Sequence, residues 1–172
     1  MLLHTPNQIK AILIAGFLLI MGVLCCSAQT KVYYGNSTMT SDIMCTIKDN
    51  KVYRGNSTMT SDIVCTISSN RIYEGNSTML DECLYTIEDG IVYEGYGYSK
   101  MKSEALCNFR NGKLYDRNST MTSAIFMNVI GTKIYYRNNT NSSNIMANST
   151  VPLTLEELIA ILYYEKTENN DK

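Results

Sequence analysis

From Lys31 onward, apolar and polar residues follow one pattern that returns about every twenty positions. A β-branched residue or Leu precedes a Tyr at Val32-Tyr33, Val52-Tyr53, Ile72-Tyr73, Val92-Tyr93, Leu114-Tyr115 and Ile134-Tyr135. These are strand formers. A polar Gly-Asn-Ser-Thr loop follows at Gly35, Gly55 and Gly75, with Arg117 and Arg137 in place of the Gly in the fifth and sixth units. A second apolar run comes next: Ile43, Cys45 and Ile47 alternate with Met44 and Thr46, the period of a strand. Two turn residues then close the unit at Asp49-Asn50, Ser69-Asn70, Asp89-Gly90 and Asn111-Gly112. Asp-Gly and Asn-Gly are strong hairpin signals, because both central positions need positive φ. The hairpins therefore straddle unit boundaries, with Leu84–Ile87 expected to pair with Ile91–Tyr93.

Unit starts fall at Lys31, Lys51, Arg71, Ile91, Lys113 and Lys133. The fourth unit is longer within Tyr96–Ser103, and the sixth dissolves into Asn139–Thr150. A recurrence of this kind is read as an array, whose units bury their apolar faces only by stacking or closing. An open meander leaves two unpaired edges, so closure is favoured. The expected fold is all-β: tandem hairpin repeats over residues 29–150 closed into a small radial or barrel-like array, capped by one C-terminal α-helix. That helix is expected over Val151–Lys166. Thr154 and Glu157 form a capping box, and Leu155, Leu158, Ile159 and Leu162 make one apolar stripe. Its expected place is over an exposed apolar end of the array, and Thr167–Lys172 reads as a disordered polar tail.

The Val-Tyr-x-Gly-Asn-Ser-Thr and Ser-Asp-Ile-x-x-Thr-Ile strings, with the closing Pro-Leu-Thr-x-Glu-Glu helix, resemble the bacterial 4-fold beta flower repeat proteins. The resemblance covers roughly Lys31–Lys166. It implies a small exported hairpin array arranged radially, with a helix packed against it. It implies no activity, cofactor or catalytic residue, and about six units depart from a four-unit pattern.

Residues 1–28 read as an export signal: His4 and Lys10 give a weakly positive start, Ala11–Leu24 an apolar run, and Cys26-Ser27-Ala28 small residues for cleavage before Gln29. An uncleaved anchor is the alternative, although the run is short for a span. Lipid attachment at Cys25 or Cys26 is another. The expected location is periplasmic, cell-surface or secreted. Membrane contact is expected only if the segment is retained or one of these cysteines is lipidated.

Composition narrows the chemistry. The net charge of −1 and the pI near 5.8 argue against a nucleic-acid partner. The single histidine is His4, so the mature chain has none for Ser-His-Asp or Cys-His catalysis, and no Cys-x-x-Cys pair offers a zinc site. Cys45, Cys65 and Cys107 share one repeat position and Cys83 sits two residues earlier in its unit. Equivalent positions lie two strand spacings apart, about 9–10 Å, beyond disulfide reach, so packed thiols are favoured over bridges. The Asn-x-Ser/Thr sites at Asn36, Asn56, Asn76, Asn118, Asn138, Asn141 and Asn148 read first as turn chemistry, with glycosylation as the alternative. Asp42, Asp62 and the adjacent Asp81-Glu82 read as a solvated face or loop caps rather than a calcium site or a hydrolase pair.

The tyrosine column Tyr33, Tyr53, Tyr73, Tyr93, Tyr115, Tyr135 reads as structural. The less regular Tyr34, Tyr96, Tyr98 and Tyr136 are the candidate ligand contacts, offering flat apolar area with a polar tip. No catalytic residue, metal or cofactor is expected. The leading expectation is a non-enzymatic binding module for an envelope glycan or protein. A structural or self-assembling envelope component is the competing one.

Overall fold

The computed structural model describes residues 28–97 and 101–170. The expected export segment up to Ser27, with Cys25 and Cys26, lies outside the described residues, as do Tyr98 and the last two residues of the tail. Twelve strands form a closed antiparallel barrel in chain order: β1 (Thr30–Tyr34), β2 (Ile43–Lys48), β3 (Lys51–Arg54), β4 (Ile63–Ser68), β5 (Arg71–Glu74), β6 (Cys83–Glu88), β7 (Ile91–Glu94), β8 (Ala105–Arg110), β9 (Lys113–Asp116), β10 (Ile125–Ile130), β11 (Lys133–Tyr136) and β12 (Ile145–Ser149). The seam is β1 on β12, with Val32 opposite Ser149. Closure leaves no sheet edge to be protected.

The hairpins sit where the turn residues place them. Asp49 and Asn50 both have positive φ, as do Ser69-Asn70, Asp89-Gly90 and Asn111-Gly112, the type I′ geometry. Each turn also seats against the next unit. The carbonyls of Asn50, Asn70, Gly90 and Gly112 accept from the amides of Ile67, Ile87, Phe109 and Val129 at 2.7–2.8 Å.

Alternation alone places Ile43 beside Cys45 on one face, and here the structure differs. A bulge in every unit shifts the register, so Val52 faces Cys65 while Tyr53 faces Ile63. One extra residue reverses parity. Cys65 and Val52 join the buried interior, Ile63 moves to the outer face with Tyr53, and Val64, the extra residue, packs on the core. The bulge carbonyls are satisfied: those of Met44, Val64 and Leu84 accept from the amides of Gly55, Gly75 and Gly95 at 2.8–3.1 Å.

The polar loops fold back along the outer wall. The hydroxyls of Thr46, Thr66 and Thr86 donate to the carbonyls of Gly55, Gly75 and Gly95 at 2.8 Å. Asn108 of the fourth unit takes this part for the fifth unit's loop, its amide donating to Arg117 O and Ser119 O at 2.9 Å. Each loop begins with a left-handed residue, and Arg117 (φ 50) and Arg137 (φ 58) hold that conformation where other units use Gly. A side chain there costs about 1–2 kcal/mol. Arg117→Gly and Arg137→Gly are each expected to stabilise the protein by about 1 kcal/mol, read as a higher melting temperature. A fall in either would mean that the arginine side chain makes a compensating contact.

The helix α1 spans Leu155–Asn170. Its capping box is formed: Thr154 N–H donates to Glu157 Oε2 at 2.8 Å, and Glu157 N–H donates to Thr154 Oγ1 at 3.2 Å. It is buried on every side in its middle, with Leu158, Ile159, Ala160 and Ile161 at 0–4% exposure. These join one cluster with the inward ring Val32, Val52, Ile72, Val92, Leu114 and Ile134. Side chains of α1 reach β1, β3, β6 and β11, strands on different sides of the ring. The helix thus runs inside the barrel and fills it, rather than lying over one end. Twelve strands about 4.8 Å apart enclose a bore of roughly 18 Å between backbones, more when tilted, which suits a helix 10–12 Å across. The helix also continues past Lys166 into the stretch expected to be a disordered tail. Thr167 Oγ1 donates to Tyr164 O at 2.8 Å, and Glu168 pairs with Arg54 at 2.9 Å, which hold that last turn.

Candidate functional site

The residue after each tyrosine of the column, on the odd-numbered strands, lies beside the Cys45 and Cys65 level and forms a ring at the loop-side mouth: Tyr34, Arg54, Glu74, Glu94, Asp116 and Tyr136. The helix ends among them. Tyr136 donates its hydroxyl proton to Glu165 Oε1 at 2.7 Å, and the Tyr34 and Tyr164 hydroxyls share a hydrogen bond. Burial, then the bond and charge of Glu165, push the Tyr136 phenol up to about 12. Burial also raises Tyr34 above the ordinary phenol range. Both rings are nevertheless 44–46% exposed. They are latches for the helix that still present an edge to solvent.

The candidate contacts are therefore not one patch. Tyr34 and Tyr136 share the mouth, two strands apart. Tyr96 lies elsewhere, in the loop after β7 on the outer wall, where the Arg71 guanidinium sits 4.4 Å from its ring centroid. The tyrosine column, by contrast, is covered by the folded-back loops: Tyr53, Tyr73, Tyr93 and Tyr135 are buried, with Tyr33 and Tyr115 half-buried.

The loop acids bind the loops themselves. Ser37 Oγ donates to Asp42 Oδ2 at 2.6 Å and Ser57 Oγ donates to Asp62. The hydroxyls of Ser37, then Ser41, hold Asp42 below the usual carboxylate range. The same serines accept the amides of Met39 and Met59 at 3.1 Å, a serine turn in each loop. Asn76 Oδ1 accepts from Lys51 Nζ at 2.6 Å. No group of three His, Cys, Asp or Glu among the described residues could hold a metal ion.

Cys45, Cys65, Cys83 and Cys107 are all free and buried. Burial pushes the Cys65 and Cys107 thiols up to about 12 and Cys45 further in the same direction. An unfolded thiol ionises near pH 9. Between about pH 9 and pH 12 the unfolded chain sheds protons that the folded chain keeps. Stability is thus whole below pH 9 and falls as pH rises through this window. Cys45, Cys65 and Cys107, which belong to the packed interior, are also expected to resist a thiol-reactive dye at pH 8 until denaturant is added. Modification of the Cys45 or Cys65 peptide in the native protein would contradict a filled bore.

One set of residues escapes the reading of tyrosines and acids. Met39, Met59, Met79, Met101 and Met121 stand at the same point of five loops and are 60–67% exposed. The signal was in the sequence: a methionine at one fixed place inside a polar loop, in five of six units. Nothing in loop formation needs an apolar side chain there, since each supplies only its backbone to the turn.

No curated protein and no solved structure matches the chain. The family model described as 6-fold beta flower protein matches residues 19–100. Six two-stranded units agree with that description, where the sequence motifs resembled a four-fold one. Over the matched stretch the chain is similar to the beta flower repeat family, and its closed ring of paired strands agrees with that likeness.

Proposed function

We propose that the protein is an exported, non-enzymatic binding module that meets an envelope glycan or protein through the loop-side rim of the barrel. The observation that supports it is the ring of exposed methionines on the outer loops, while the bore is occupied by α1. Thioethers are flexible and polarisable, and recur on surfaces that adapt to their partners. Tyr34 and Tyr136 add exposed aromatic area at the mouth, where the loops after β1 and β11 leave the strands.

The test replaces Met39, Met59 and Met121 together by threonine and compares capture from solubilised envelope with the wild type. Loss of a specific partner with an unchanged melting temperature is expected. Unchanged capture would remove the rim from consideration. Concentration-dependent oligomers that the triple variant abolishes would favour the assembly reading instead.

A further inference from the structure

The repeat offers its own internal standard, and one place departs from it on both sides of a cavity. Between the third and fourth units a cavity of about 940 Å³ opens to solvent, lined by Leu80, Asp81, Tyr93, Glu94, Tyr96 and Glu104 among others. Where the third unit has Leu80-Asp81, the other regular loops have Thr40-Ser41, Thr60-Ser61 and Thr122-Ser123. Where the fourth has Tyr96, every other unit has an asparagine: Asn36, Asn56, Asn76, Asn118 and Asn138. Cys83, also in the wall, stands where four other units have the larger Ile43, Ile63, Ile125 and Ile145 and the fourth has Ala105. The substitutions replace uncharged polar residues by apolar, aromatic and anionic ones, and Cys83 is smaller than the isoleucine of those four counterparts.

The wall so made is of one chemical kind. Three carboxylates, Asp81, Glu94 and Glu104, stand with two aromatic rings and apolar Leu80 and Met79, and no lysine or arginine is among the described lining residues. Tyr96 is fixed in place by Arg71, whose own cation already sits on the ring. Aromatic faces attract cations, carboxylates pair with ammonium or guanidinium, and apolar walls take an alkyl stem. The volume suits a small ligand or a side chain with its flanks.

We propose that this cavity binds an organic cation on an alkyl stem, an ammonium or guanidinium supplied either by a free polyamine or by a basic peptide. Met79 belongs both to the cavity wall and to the methionine ring, and it is left untouched in the rim test so that the two readings fail separately. Calorimetric titration with spermidine and, separately, with tetralysine and tetra-arginine peptides tests it in the full chain. Saturable binding that weakens with salt is expected, with at least a tenfold loss in Asp81→Asn/Glu104→Gln and no change in Asp116→Asn, whose carboxylate is elsewhere. Binding of spermidine alone identifies a polyamine as the source, and binding of the peptides alone identifies a basic segment. Tyr96→Leu, which keeps bulk without the π face, is expected to weaken binding by several fold. No saturation below about 1 mM for any probe, or equal loss in Asp116→Asn, overturns the proposal.

Discussion

Gly112→Val is expected to destabilise the protein by about 3 kcal/mol and to lower its melting temperature by roughly 10 °C. Two causes act together. Gly112 has φ +74, which a β-branched side chain resists, and a Cβ built there would stand 2.7 Å from the backbone oxygen of Val129. That oxygen cannot retreat freely, because Val129 N–H already donates to Gly112 O at 2.7 Å, tying turn and strand to each other. Gly131 is the control: its φ is +61, yet nothing lies within 4 Å of the added atom. Gly131→Val should therefore show only the conformational part, about 1–2 kcal/mol. Equal losses at the two positions, by thermal or urea denaturation, would mean that the turn is not seated on its neighbour.

Ile161→Ala is expected to cost about 3 kcal/mol, within the usual range for a large core truncation. Ile161 is fully buried in the cluster that α1 shares with the inward ring of the strands, so the cavity left behind has packed neighbours that cannot all collapse. Ala160→Leu gives the complementary result. Ala160 is also fully buried, and a larger side chain there would overpack the bore at about 1–3 kcal/mol. A helix lying across one end of the barrel would instead tolerate that leucine on its free side. A neutral Ala160→Leu would sink the inserted-helix arrangement.

The sequence carried the hairpins clearly, since Asp89-Gly90 and Asn111-Gly112 name a turn type by local chemistry alone. It carried the capping box of α1 for the same reason. What it did not carry was anything fixed by the meeting of distant parts. The bulge residues Met44 and Val64 look like ordinary members of an alternating run, and only the neighbouring strand reveals that one residue is extra. The apolar stripe Leu155, Leu158, Ile159, Leu162 described one face, while Ala160, Ile161 and Tyr164 are buried too because walls surround the helix. At the candidate site, Tyr34 and Tyr136 were visible as irregular tyrosines, but their hold on Tyr164 and Glu165 depends on where α1 emerges. Cys83 and Leu80 carry no chemistry by themselves. Their meaning comes from the unit across the cavity.

A helix inside the ring also fixes how many units the ring can hold. Most repeat arrays lengthen or shorten freely, because each copy touches only its neighbours. Here one hairpin contributes about 9–10 Å of circumference, hence roughly 3 Å of diameter. Losing a copy would pinch α1, and gaining one would leave a gap around it. Duplication can therefore rewrite the outer loops one unit at a time, as the fourth has been, while the copy number is held by the girth of a single helix.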